Sequence, residues 1–189
     1  MVPGRTHRRS WDVEGDVHCL TFSTFQRQPF LSGIHAPHWF LEVLGEARRC
    51  CPFRLFAYVV MPEHVHLVLQ PLPSVPMRRV LWRLKRPMTT RVLEWVRIHR
   101  PDFLRRMEDA QPSGKVTYRF WQRGGGYDRN LRSVGDIHEK IGYIHGNPVR
   151  RGLVRQSEDW AFSSAPDWVL GRKGPVPIDW DDLPEPELR

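Results

Sequence analysis

Two apolar segments separated by only two residues constrain this chain more than any other feature. Phe53 to Met61 and His64 to Gln70 are rich in β-branched, aromatic and other apolar residues, and Pro62-Glu63 lies between them. Such runs are typical of strands, and so short a connection favours an antiparallel hairpin. Because successive strand side chains alternate between faces, the spacing of His64 and His66 places both imidazoles on one face of that hairpin.

The remaining pattern predicts an α+β domain. Apart from the hairpin, the predicted elements are a strand from Val17 to Phe25, a helix from Pro37 to Arg49, a helix from Met77 to His99 that Pro87 kinks or splits, a fourth strand from Lys115 to Trp121, and a helix from Ser133 that ends before Pro148. This order matches the ferredoxin-like or RRM-like split βαβ fold, with an antiparallel four-stranded sheet and one extra C-terminal helix.

Composition limits the partner and the compartment. The formal charge of +8 favours a polyanionic partner such as nucleic acid, although membrane-surface proteins share this property. The three cysteines form no C-x-x-C pair, and no apolar run is long enough to span a membrane, so we expect a cytoplasmic protein. The predicted domains are a basic leader at 1–15, a folded domain at 16–165 and an acidic, proline-rich tail at 166–189.

The histidine pair alone has two interpretations. Two aligned imidazoles can form half of a metal site, but His64 and His66 can equally be core or surface histidines. H-x-H pairs occur in zinc and copper sites, so the spacing does not identify a metal. A third ligand is needed in any case.

Tyr143 lies off the apolar stripe of the last helix. Ile137, Ile141 and Ile144 follow helical spacing and form that stripe, while Tyr143 is rotated about 120° away from it. The tyrosine is therefore either a boundary aromatic residue or an exposed functional phenol. Asn147, four residues later, shares its face and is either a helix C-cap or a functional amide.

Two motifs in this order resemble the REP-associated tyrosine transposases, a group of single-tyrosine HUH transposases. The motifs are Tyr58 to Leu67, with the sequence YVVMPEHVHL, and Tyr143 to Val154, with the sequence YIHGNPVRRGLV. The similarity runs from about Val17 to Ser164, and it includes Phe120-Trp121-Gln122, Lys85 and the segment Trp160 to Ser164. The family commonly has Asn where Glu63 stands, and Gly124-Gly125-Gly126 interrupts a segment that is usually shorter or more polar.

The resemblance implies a set of functional residues. His64 and His66 match the metal-binding motif, Asn147 occupies the position of a further polar ligand, and the metal would be Mg²⁺ or Mn²⁺. Tyr143 matches the catalytic tyrosine, which would be activated by the metal or by Lys140. The residues placed to hold DNA are Lys85, Arg83, Arg86, Arg150, Arg151 and Trp121. Base stacking and core packing are alternative roles for Trp121 and for Trp82, Trp95 and Phe120.

The implied activity is that of a transposase-like endonuclease and strand transferase on single-stranded or hairpin DNA. The phenol would form a covalent 5′-phosphotyrosine and release a 3′-hydroxyl. One alternative is a non-catalytic, RRM-like protein that binds single-stranded nucleic acid, and another is a metal-dependent hydrolase without a covalent adduct. The sequence leaves monomer and homodimer open.

The acidic tail also has two interpretations. The segment from about Gly174 is either a disordered solubilising tail or a mimic of a DNA strand that occupies the arginine-rich groove.

Overall fold

A computed structural model describes residues 15–183. Within this range the chain forms one four-stranded sheet, a separate two-stranded ribbon and helices on both faces of the sheet. The strands are β1 (Val17–Ser23), β2 (Phe53–Met61), β3 (His64–Pro71), β4 (Glu108–Ala110), β5 (Val116–Tyr118) and β6 (Tyr127–Leu131). The helices are α1 (Ala36–Cys50), α2 (Met77–His99), α3 (Val134–His145), α4 (Asn147–Arg150) and α5 (Ala165–Leu170).

The strand order of the main sheet is β2-β3-β1-β6, and every neighbouring pair is antiparallel. With α1 between β1 and β2 and α2 after β3, this is the predicted ferredoxin-like arrangement, which is therefore confirmed. The register places His66 opposite Thr21 on β1, and Thr21 opposite Tyr127 on β6. These three residues form one row across the sheet.

The position of the fourth strand was predicted wrongly. The edge strand of the main sheet is Tyr127–Leu131, whereas Val116–Tyr118 pairs with β4 in the separate ribbon. Along β6 only Leu131 is buried, so this strand has no apolar alternation that a sequence pattern can detect. Its backbone pairing with β1 holds it in place.

Helices α1 and α2 cover one face of the sheet. Phe22, Leu67, Phe40 and Leu84 belong to the larger apolar core on this side. Pro87 does not divide α2, which runs without interruption from Met77 to His99.

Helix α3 covers the opposite face. Its stripe of Ile137, Ile141 and Ile144 is buried there, together with Val59 and Val68 of the hairpin. Because His64 and His66 alternate with the residues that face α1 and α2, they point to the α3 side, in line with Val68. The fold thus places the histidine pair and the helix that carries Tyr143 on one face.

The described part of the acidic tail packs against the domain. Both interpretations of the tail, as a disordered segment and as a mimic of a DNA strand, were therefore wrong for residues 174–183. Val176 and Ile178 are buried in the core. Asp179 accepts two hydrogen bonds from Arg48, at 2.7 and 2.6 Å, and one from the backbone N–H of Leu55 on the edge strand β2. The tail therefore covers the β2 edge of the sheet. Without it, the unpaired backbone groups of this edge could pair with another chain.

The predicted leader lies almost entirely outside the described residues, as do residues 184–189. No helix between residues 15 and 183 is both long and apolar enough to cross a membrane.

Candidate active site

The two histidines of β3 converge on a single point. Their Nε2 atoms lie 2.8 Å apart, and the rings are nearly perpendicular, at 88°. Each residue is only 7% exposed. Two ring nitrogens this close leave one position between them for a shared hydrogen or a shared cation.

Hydrogen bonds on the far side of each ring fix the orientation of this pair. The Nδ1 atom of His64 lies 3.1 Å from a carboxylate oxygen of Glu63, and Nδ1 of His66 lies 2.7 Å from the hydroxyl of Thr21. An ionised carboxylate only accepts, so His64 carries its proton on Nδ1 and presents a lone pair at Nε2. The His66 Nε2–H then donates to His64, and His66 Nδ1 accepts from the Thr21 hydroxyl; since that hydroxyl can also accept, the opposite tautomer would free the His66 Nε2 for a cation.

Burial keeps both imidazoles neutral. It lowers the pKa of His66 to about 3, and the neighbouring His64 and the Arg150 guanidinium add to this effect. Burial also lowers the pKa of His64, against the opposing attraction of Glu63. The neutral imidazole is the form that binds metals.

Glu63 connects the histidines to the segment that follows Tyr143. Its carboxylate accepts a 2.6 Å hydrogen bond from Arg151, besides the contact with His64. Burial alone would raise the pKa of Glu63, but the bonds from Arg151 and His64 outweigh it and lower that pKa. The carboxylate is thus ionised at neutral pH.

Tyr143 is exposed, as its position off the stripe predicted. Its side chain is 52% accessible, and the Arg150 guanidinium lies 4.5 Å from the centre of its ring. The Lys140 ammonium lies 5.5 Å from the same centre and also bonds the carboxylate of Glu139 at 2.7 Å. Two cations therefore flank the phenol ring.

Asn147 does not end α3. Gly146 is the cap of α3, and Asn147 begins the short helix α4, with Pro148 in its first turn. Proline fits there because its missing N–H would have no partner in the helix. The Asn147 side-chain oxygen accepts from Arg150 at 2.7 Å, while its buried amide nitrogen has no partner among the described residues.

These donors fit a divalent cation that accepts both nitrogen and oxygen ligands. The His64 and His66 Nε2 atoms offer two nitrogens, and the carboxamide of Asn147, whose buried amide nitrogen has no partner among the described residues, offers an oxygen. No group of three His, Cys, Asp or Glu residues within 15–183 forms a complete cage.

The other predicted DNA-binding residues lie on α2 and beside it, on the opposite face of the sheet. Arg86 is exposed and Arg83 is half-buried, and both guanidinium groups lie over the ring of Trp82. The Lys85 ammonium bonds the carbonyl of Gly124 at 2.8 Å, and burial lowers its pKa to about 8.

Trp121 is a core residue. It is 6% exposed, packs edge-on against Phe22, Phe40 and Phe120, and donates its indole N–H to the Lys85 carbonyl. A base has no access to this ring, so of the two roles open to Trp121 the structure favours core packing.

Sequence reasoning missed two residues that orient the histidine pair and one that anchors the end of α3. Thr21 contacts His66 only through the register of β1 and β3, which no local pattern reveals. Glu63 was noted only as a departure from a family pattern, although its position next to His64 is a usable signal. His145 is buried and bonds Ser164 at 2.9 Å, which ties the end of α3 to the segment that pairs with β2.

Comparisons with known proteins agree with this architecture. The chain is 28% identical over 135 residues to the REP-associated tyrosine transposase of Escherichia coli K12, covering 71% of the chain and 67% of that protein. A Haemophilus influenzae protein provisionally given the same name is 28% identical over 141 residues, covering 73% of the chain and 72% of the relative. No protein-family model matches the chain.

The fold is also shared with a solved structure. The REP-associated tyrosine transposase bound to a REP hairpin superposes with a TM-score of 0.66 and 22% identity, over 97% of this chain and 96% of that one. The resemblance stated from the two sequence motifs is thereby confirmed.

Proposed function

We propose that this chain, a homologue of the REP-associated tyrosine transposases, is a metal-dependent DNA endonuclease and strand transferase that acts on single-stranded or hairpin DNA. The observation that carries the proposal is the convergence of His64 and His66 on one point, on the sheet face that also carries the helix of Tyr143. The hairpin is proposed because a relative with the same fold is described as bound to one.

In the proposed reaction the Tyr143 phenol attacks a phosphodiester of the DNA. A bond forms between the phenol oxygen and phosphorus, and the bond from phosphorus to the 3′-oxygen breaks. The phenol proton passes to solvent, and the departing 3′-oxygen takes up a proton from solvent. Because the 5′-phosphotyrosine keeps a phosphodiester, a second 3′-hydroxyl can reverse the step and join strands without ATP.

The chain's residues prepare this attack. Arg150 and Lys140 lie beside the phenol ring, where their positive charges can attract the phosphates of the bound strand. His64, His66 and Asn147 would hold Mg²⁺ or Mn²⁺, and when bound this ion polarises the scissile phosphate and orients it for in-line attack. Glu63 and Thr21 orient the two imidazoles from behind.

The proposal extends to the organisation and location of the protein. Residues 16–165 would form the catalytic domain, and the tail from 166 would stabilise it rather than act on DNA. We place the protein in the cytoplasm, where its DNA substrate would be.

The test is a denaturing assay for a covalent adduct. The protein is incubated with Mn²⁺ and a hairpin that carries a label on the 3′ side of the cleavage point, and is then denatured. Label that stays on wild-type protein, but not on Tyr143→Phe, supports the covalent mechanism. Cleavage without attached label would instead indicate a hydrolase, and binding without cleavage would indicate an RRM-like binding protein.

A further inference from the structure

A cavity of about 440 Å³ lies between the start of α1, the end of α2 and the segment from Pro101 to Met107. This aromatic pocket has the volume of sites that hold small organic molecules. The residues that give it its chemical character are Phe30, Trp39, Trp95, Arg100, Phe103 and Arg106. It lies on the α1 and α2 side of the sheet, whereas α3 with Tyr143 covers the other side, so no residue of the proposed active site lines it.

The buried part of the lining is apolar. Phe30 and Phe120 stack with their ring centres 5.9 Å apart, and Phe103 meets Phe30 edge-on at 5.4 Å. Val92 and Val96 of α2 are the other buried side chains of the lining. None of these side chains donates or accepts a hydrogen bond. The part of a ligand that reaches them must therefore be apolar, because a polar group would lose its bonds to water there.

Two half-buried indoles form the sides of the aromatic pocket. Trp39 and Trp95 meet edge-on, with 6.0 Å between their ring centres. The His35 ring stacks on Trp39 at 5.4 Å, with only 13° between the planes. Ile34, which is 82% exposed, also lines the pocket. Aromatic surfaces of this kind favour a ligand with a flat ring system.

The charged groups of the pocket are two arginines, and none of its lining residues is Asp or Glu. Arg100 is exposed, and no carboxylate within residues 15–183 forms an ion pair with it. Arg106 donates its Nε–H to the neutral side chain of Gln28 at 2.8 Å and lies 4.8 Å from the ring centre of Phe103. A carboxylate at this rim gains charge-assisted hydrogen bonds from guanidinium groups that no protein carboxylate neutralises.

These features together select one class of ligand, a small aromatic carboxylate. A neutral aromatic molecule leaves the charges of Arg100 and Arg106 without a partner. A nucleotide also carries an aromatic ring and an anion, but the edge of its base has N–H and C=O groups. Those groups would face Phe30 and Val96 without hydrogen bonds, which costs free energy.

The loop between β1 and α1 connects the aromatic pocket to the turn before β3. Phe30 of this loop lines the pocket, and the next residue, Leu31, donates its N–H to the Pro62 carbonyl at 2.8 Å. At the start of the same loop, the Thr24 N–H donates to the Glu63 carbonyl at 2.9 Å. A ligand that binds only while the loop is closed makes its opening rarer.

We propose that the aromatic pocket binds a small aromatic carboxylate, with its rings against Phe30 and the two indoles and its carboxylate on Arg100 and Arg106. The inference is independent of the proposed reaction on DNA. It gives the chain a site through which a small molecule stabilises the loop that supports the turn before His64.

The test is an NMR titration of ¹⁵N-labelled protein without DNA or metal. The probe is 2-naphthylacetate. Three comparison ligands each lack one feature: 2-naphthylacetamide has the rings without the charge, acetate has the charge without the rings, and adenosine monophosphate has a polar base. The variant is Arg100→Gln. Its matched control is Arg97→Gln, because Arg97 is an exposed arginine of α2 that does not line the pocket.

The probe should bind with a dissociation constant of roughly 0.1–1 mM, as expected for a ligand of its size. Its ring currents should shift the indole signals of Trp39 and Trp95 but not that of Trp82, which does not line the pocket. Each comparison ligand, and the probe on Arg100→Gln, should bind at least about fivefold more weakly, because a charge-assisted bond or the ring contact is lost. The Leu31 amide should exchange with solvent more slowly in saturated protein.

The remaining outcomes overturn the inference. Equal affinities of the probe and its amide would mean that the arginines bind no carboxylate, and equal affinities of the probe and adenosine monophosphate would indicate a nucleotide site. A loss in Arg97→Gln equal to that in Arg100→Gln, or shifts at Trp82 instead of Trp39 and Trp95, would place the probe elsewhere. An unchanged exchange rate of the Leu31 amide would overturn the stabilisation of the loop. Melting temperatures of the variants show whether a loss of binding is a loss of folding.

Discussion

Arg151 and Glu63, which are 88 residues apart in sequence, form a 2.6 Å ion pair beside the histidine site. Arg151 was expected to contact the DNA backbone, but in the structure it bonds the carboxylate that orients His64. The Glu63 side chain is only 9% exposed, whereas that of Arg151 is 52% exposed. The pair thus joins the turn before β3 to the segment that follows Tyr143, the proposed nucleophile.

We predict that Glu63→Gln weakens Mn²⁺ binding about tenfold, because the neutral amide holds both Arg151 and the His64 N–H less firmly. Isothermal titration calorimetry measures this affinity directly. Arg151→Ala should weaken Mn²⁺ binding in the wild type, and weaken it less in the Glu63→Gln background. Glu46→Gln, which replaces an exposed carboxylate of α1, is the control. Unchanged affinity in Glu63→Gln would show that the carboxylate does not position the ligand.

Tyr143→Phe should abolish cleavage and the covalent adduct while DNA affinity changes less than twofold. The variant removes only the phenol oxygen of an exposed side chain, so the fold should not change. The matched control is Tyr127→Phe, because Tyr127 is an exposed tyrosine in the same row of the sheet as His66. Cleavage that persists in Tyr143→Phe and disappears in Tyr127→Phe would reassign the nucleophile.

His64→Ala and His66→Ala should each lower Mn²⁺ affinity at least tenfold and abolish cleavage. Both rings lie at the end of the sheet, and their hydrogen bonds go to Thr21, to Glu63 and to each other, so the variants should remain folded. Calorimetry and circular dichroism separate loss of binding from loss of structure. His38→Ala, at an exposed position on α1, should behave like the wild type. An unfolded His66→Ala protein would indicate a structural histidine.

Sequence patterns correctly predicted the elements in which buried apolar residues recur at a regular spacing. The bounds of α2 and β2 agree with the sequence prediction, because their apolar residues recur at helical spacing in α2 and nearly fill β2. β6 escaped prediction because it is held by backbone pairing with a strand more than 100 residues earlier. A sequence pattern contains no signal for such pairing.

The same distinction applies to the candidate site. The histidine spacing and the rotation of Tyr143 away from the isoleucine stripe follow from the geometry of one strand and one helix. Glu63 with Arg151, and Thr21 with His66, are contacts between distant segments, and the fold alone creates them. The residue type of Trp121 fits both core packing and base stacking. Only its neighbours in the fold, Phe22 and Phe40, decide in favour of core packing.

The tail should stabilise the domain. Asp179→Asn should lower the free energy of unfolding by about 1–2 kcal/mol, because it weakens the charge-assisted hydrogen bonds from Arg48 Nη2 and a bond from the Leu55 N–H. Chemical denaturation provides the measurement, and Asp181→Asn, which changes an exposed carboxylate two residues away, provides the control. Deletion of residues 174–189 should destabilise further, since it also removes buried Val176 and Ile178. A deletion variant that is as stable as the wild type and binds DNA more tightly would restore the DNA-mimic hypothesis.

His145 should make the domain sensitive to mild acid. Burial lowers its pKa to about 4, below the usual value of 6.5, so the unfolded chain binds a proton more readily than the folded one. Its contribution to stability is therefore fully present above pH 6.5 and is lost as the pH falls from 6.5 towards 4. Between pH 7 and pH 5 this loss amounts to roughly 2 kcal/mol for one such histidine.

The variant that tests this is His145→Gln, whose amide can still bond the Ser164 hydroxyl but does not titrate. Unfolding free energies measured at pH 7 and pH 5 should differ by about 2 kcal/mol less in His145→Gln than in the wild type. His38→Gln controls for the removal of a histidine as such. If the wild type and His145→Gln lose the same stability over this interval, His145 does not cause the acid sensitivity.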